Sequence, residues 1–173
     1  LLHLLHDQVR AQAVQALLAR HVDVLDAHSA FLTTTLHVDE TWLWQARALA
    51  AHARSDYFAE YECRRHARDL SGAHAVAVRH LAAESFLGGD TQLLVDLFRP
   101  IADEAEASSA VPIKGWNEGG RVLLDYATLP QILPPLLAKA HTGSLEASER
   151  HALQQATVRT HELMDRVPLL YAD

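Results

Sequence analysis

The sequence predicts an all-α protein, an irregular α-solenoid or a stack of antiparallel helices. Three observations carry that prediction. Apolar residues recur at three- and four-residue steps in every segment longer than ten residues. Leu and Ala dominate an apolar fraction of 49%. Only seven glycines and six prolines punctuate 173 residues, which favours long helices over many short strands. We expect seven to nine helices, no sheet and a single domain over 1–173, large enough for a continuous core. No sequence repeat is present. A helix-turn-helix rhythm fits a solenoid, and a bundle of long helices would give the same periodicity.

Taken in order, residues 1–20 form the first helix, with Leu2, Leu5, Val9, Ala13, Ala16 and Leu17 on one stripe. A second spans about 24–36, weakened by the β-branched run Thr33, Thr34, Thr35. Asp39 is a candidate N-cap for a helix over 40–54, with Leu43, Ala46, Leu49, Ala50 and Ala53 on its inner face. Ser55 or Asp56 caps the next, about 56–69, which carries Tyr57, Phe58 and Tyr61 to the core. Ser71 caps a helix over 72–87 that is apolar most of the way round and is expected to be flanked on several sides.

Gly88 suits a left-handed C-cap and Asp90 the N-cap that follows. The helix from 91 is expected to kink or end at Pro100, and 103–112 reads as an acidic loop. A further helix starts near 117, where Gly119 and Gly120 allow close backbone approach and Trp116 covers the start. Its apolar face is Val122, Leu123, Tyr126, Ala127, Leu133, Leu136 and Leu137. Pro130, Pro134 and Pro135 predict a break or strong kink between about 128 and 135, then a short helix to Ala140. After a Thr142–Ser144 turn, with Ser144 as cap, the last helix covers 145–167 and buries Leu145, Ala152, Ala156, Leu163 and Val167.

Charge and cysteine usage narrow the function. A formal charge of −7 leaves no basic surplus for nucleic acid or acidic lipid. A single cysteine, Cys63, excludes an internal disulfide framework and fits a reducing compartment. No apolar run is long enough to span a membrane. The chain begins in helical pattern without an initiator methionine, so it reads as a fragment of a longer protein.

The twelve histidines offer the most tempting chemistry. His3 with His6, Cys63 with His66, and His151 with His161 can be paired, yet a structural zinc needs four ligands and a catalytic zinc three. No complete ligand set or nucleophile–base pair assembles, so no catalytic residue, cofactor or metal is expected. Arg64, Arg65 and His66 follow Cys63 but point to other helix faces, and Cys63 reads as a small buried hydrophobe. The glycine pairs at 88–89 and 119–120 lack the Lys-Ser/Thr of a phosphate loop, and Asp103, Glu104 and Glu106 read as solvated. Trp42 and Trp44 lie two apart and cannot face the same way on one helix, so one of them is a candidate interface anchor. Leu163 and Val167, on a terminal helix with no later helix to cover it, are candidate partner contacts too.

Two motifs carry a resemblance. Trp116, then Gly120, Val122, Leu124, Asp125 and Tyr126, resembles a signature of the nucleoporin ninety-six family, whose yeast counterpart is the carboxy-terminal half of nucleoporin one-forty-five. Upstream, Ala73, His74, His80, Leu81 and Ala82 are similar to a second family segment, in the right order and at about the right separation. The similarity covers roughly 39–137 and thins over 1–38 and 138–173. The resemblance implies a coatomer-like helical tail and a structural, non-enzymatic role in the Y-shaped complex of the nuclear pore. The implied partners are the carboxy-terminal helical regions of nucleoporin one-sixty (yeast one-twenty) and nucleoporin eighty-five. It also implies support of nucleocytoplasmic and mRNA transport at the nuclear envelope. His80, Leu81, Trp116, Gly120, Leu124, Asp125 and Tyr126 are then structural signature positions. A helical vesicle-coat or adaptor subunit is the first alternative, and a helical-bundle metalloenzyme using the histidines the second.

Overall fold

A computed structural model of the chain describes residues 2–108 and 112–170. Among them there is no strand. The helices are α1 (Leu2–Arg20), α2 (Leu25–Thr34), α3 (Glu40–Ala53), α4 (Tyr57–His66), α5 (Leu70–Val76), α6 (Ala82–Gly88), α7 (Thr91–Ser108), α8 (Gly120–His141) and α9 (Ala147–Arg166). A π turn, Ala77–Leu81, links α5 to α6 without a break. The fold is all-α, as the periodicity predicts. It forms two compact units, one up to Val76 and one from Ala77.

In the first unit, α1 packs on α3, α3 on α4, and α4 on α5. Asp39 caps α3 as expected: its carboxylate accepts from the Thr41 backbone N–H and hydroxyl, each at 2.8 Å. Those two bonds, the backbone one first, hold its pKa below the ordinary carboxylate value. Asp56 rather than Ser55 caps α4, accepting from the Ala59 N–H at 3.1 Å. Asp69 rather than Ser71 starts α5, accepting from the Gly72 N–H at 2.9 Å. Helix α2 ends at Thr34, inside the β-branched run, and the hydroxyls of Thr33 and Thr34 bond back to carbonyls three and four residues earlier.

The buried face of α1 is not the one the stripe suggests. Leu18 is 8% exposed and packs with Leu25, Leu43 and Ala46, whereas Leu17 is 58% exposed. Val9, Ala13 and Ala16 are exposed with it, and the side chains of Leu2 and Leu5 lie outside the described residues. The error has a physical cause: in a helix this rich in Leu and Ala, several faces are apolar enough to bury. Helix α3 serves two neighbours, so it buries Ala48 and Ala51 besides Leu43 and Ala46, and leaves Leu49 and Ala53 exposed. Of the aromatic trio on α4, Tyr61 is buried, Tyr57 half-buried and Phe58 exposed, its ring 6.2 Å from Tyr61.

In the second unit, α6 packs on α7, α7 on α8, and α8 on α9. The left-handed residue after α6 is Gly89 (φ 71°), one later than expected, and Asp90 caps α7 through the Leu93 N–H at 3.1 Å. Helix α7 runs on through Pro100. Leu94, Leu97, Phe98 and Ile101 form one buried stripe across the proline and hold both sides in register. The loop expected at 103–112 is therefore helix as far as Ser108, and 109–111 lie outside the described residues.

Helix α8 begins at Gly120, after turns over 114–119, and continues unbroken through all three prolines. Of the expected break or kink, a break is absent: Pro130, Pro134 and Pro135 are exposed, and the carbonyls that lose their N–H partner can meet water. Helix α9 starts later than predicted. Its cap is Glu146, in a reciprocal capping box with Glu149, and Ser144 instead bonds Thr142 and the Lys139 carbonyl. Ala156 is buried on α9, while Leu145, Ala152, Leu163 and Val167 are half-buried.

Candidate functional site

Three of the signature residues, Trp116, Asp125 and Tyr126, tie helices together. Trp116 packs on Phe98 of α7, with ring centroids 6.4 Å apart and planes at 59°. Gly119 and Gly120 are buried at the start of α8. Tyr126 packs on Phe86 of α6 at 4.7 Å. Leu124 is half-buried between them in sequence.

Asp125 is the polar centre of this set. It is buried, and its Oδ1 accepts from Nε of Arg159 on α9 at 2.8 Å and from a second nitrogen of the same guanidinium. Arg121 lies 3.9 Å from Oδ2 and also pairs with Glu162 at 3.4 Å. Arg166 donates to the Asn117 carbonyl at 3.2 Å. The Leu-Asp-Tyr stretch thus fastens α8 to α6 and α9, and Trp116 adds α7. His80 and Leu81 sit half-buried in the π turn.

A second charged cluster was missed from sequence. Glu60 of α4 is 1% exposed and meets Arg64 at 2.8 Å and His52 of α3 at 2.9 Å. Arg64 goes on to Asp69 at 2.7 Å. Burial works against the Arg64 cation, but hydrogen bonds to Glu60 and Asp69 outweigh it and raise its pKa. The i,i+4 spacing of Glu60 and Arg64 was the available signal. Gly72 is required here, since a Cβ would collide with the Asp69 carboxylate and Arg64.

The two tryptophans of α3 do diverge. Trp42 packs against the Leu18–Leu43 core. Trp44 stacks with His66 of α4 at 4.4 Å, carries the Arg47 guanidinium over its ring at 4.4 Å, and donates Nε1–H to Glu40 at 3.3 Å. It also lines an open cleft of about 650 Å³ between α2 and α3, with Ser29, Ala30, Thr33, Val38, Glu40, Leu43 and Arg47. On α9, Val158 and Met164 are the exposed large apolar residues, while Leu163 and Val167 are half-buried.

The histidine pairings do not converge. His66 is engaged with Trp44, and burial pushes the half-buried Cys63 thiol up, away from thiolate, despite Arg47. His151 bonds Gln155 and His161 bonds the Thr157 carbonyl. They lie ten residues apart on one helix, roughly 15 Å along its axis. The side chains of His3 and His6 fall outside the described residues. Among the described residues no three His, Cys, Asp or Glu side chains are grouped to hold a metal ion, and no helix is long and apolar enough to cross a membrane.

Comparison with known proteins adds lineage. Residues 1–50 match the family described as Nuclear protein 96. That is the segment where the motif resemblance is thinnest, and both motifs lie beyond it. A second match covers 98% of this chain at 25% identity, to the Nuclear pore complex protein Nup98-Nup96 of Drosophila melanogaster. The chain spans 9% of that relative's length. The two matches and the signature point the same way: this chain is similar to the Nuclear protein 96 family over residues 1–50 and to that relative over nearly its whole length.

Proposed function

We propose that this chain is a non-enzymatic structural component of the nuclear pore complex, at the nuclear envelope. It works by presenting apolar helix faces to other helical nucleoporins at the hub of the Y-shaped subcomplex. The partners are the carboxy-terminal regions of nucleoporin one-sixty (yeast one-twenty) and nucleoporin eighty-five, and the assembly supports nucleocytoplasmic and mRNA transport. One observation carries the reading: the signature's aromatic and charged side chains are spent on ties between helices, while Ile132, Leu137, Val158 and Met164 stay exposed on α8 and α9. Stable interfaces of this kind bury upwards of ~2,000 Å² and lean on a few apolar anchors.

Size-exclusion binding to each partner region, separately and together, tests it. Wild-type protein is expected to co-elute with at least one region. Leu163→Glu and Trp44→Glu are each expected to abolish a contact while helicity and melting hold. If both variants stay folded and bind both regions as wild type does, these faces are not the hub contacts. Co-purification with vesicle-coat subunits instead would favour the adaptor alternative.

A further inference from the structure

We draw no further inference here: the strongest candidate, the apolar stripe of Val9, Ala13, Ala16 and Leu17 left exposed along α1, carries nothing because nothing in the structure shows what covers it.

Discussion

The two halves of α8 are built from similar residues and live in different environments. In 120–129, seven positions are buried: Gly120, Val122, Leu123, Asp125, Ala127, Thr128 and Leu129. In 130–141 none is, although Ile132, Leu133, Leu136 and Leu137 are as apolar as anything upstream. The first half meets Phe86 and Arg159 through Tyr126 and Asp125; the second reaches α9 through the Lys139–Glu149 ion pair. Burial therefore follows from what a neighbouring helix offers. Prolines are tolerated in the second half for the same reason, since water reaches its backbone.

The sharpest way to break this contrast is truncation on each side of it. Leu123→Ala, at a fully buried position, is expected to cost about 2–5 kcal/mol of stability in urea unfolding. Leu137→Ala, at a position 46% exposed, is expected to stay within about 0.5 kcal/mol. Equal losses would mean that the second half is covered as well.

A smaller effect separates the members of the Asp125–Arg159 pair. Removing Arg159 strands a buried carboxylate with Arg121 as its nearest cation, at 3.9 Å. Removing Asp125 frees a guanidinium that is 36% exposed and can turn to water. Arg159→Ala is thus expected to cost about 2–3 kcal/mol and Asp125→Ala about 1. Chemical denaturation of the two variants checks the order, and the reverse order would show that the cation is the costlier group to strand.

The smallest effect lies at the tie in the second half. The hydrogen bond from Lys139, then that from the Glu146 backbone, lowers the Glu149 pKa; the bond to Glu149 raises that of Lys139. A lowered carboxyl pKa stabilises above its unfolded value, and the gain is lost as pH falls through the folded one. A raised ammonium pKa stabilises below its unfolded value, and that gain is lost as pH rises through the folded one. Glu149→Gln keeps a capping-box acceptor and removes the charge. Its melting temperature is expected to fall slightly below wild type at neutral pH and to converge with it at both extremes. A constant gap across the pH range would assign the effect to the cap.

Element existence was largely legible, because a period near 3.6 survives almost any neighbour. Orientation was less so. Leu17 and Leu18 differ by one position and by the whole width of the core, and nothing in an Ala/Leu-rich pattern chooses between them. Pro100 and the α8 prolines do not end their helices, because packing and solvent access override the local rule for a stop. The π turn has no composition cue, and it carries the motif residues His80 and Leu81. The signature was legible as a string, but its meaning was not: Asp125 finds its partner 34 residues away.

The placement of the three tryptophans has an optical consequence. Trp42 lies against the apolar core of the first unit, Trp44 beneath an imidazole and a guanidinium, and Trp116 against a phenylalanine in the second unit. Each indole thus samples a distinct quenching environment. With Trp116→Phe, the tryptophan emission that remains, excited at the red edge where tyrosine does not absorb, comes from the first unit alone. With Trp42→Phe and Trp44→Phe combined, it comes from the second alone. The chain carries its own pair of fluorescent dials, one for each compact unit, needing no attached dye.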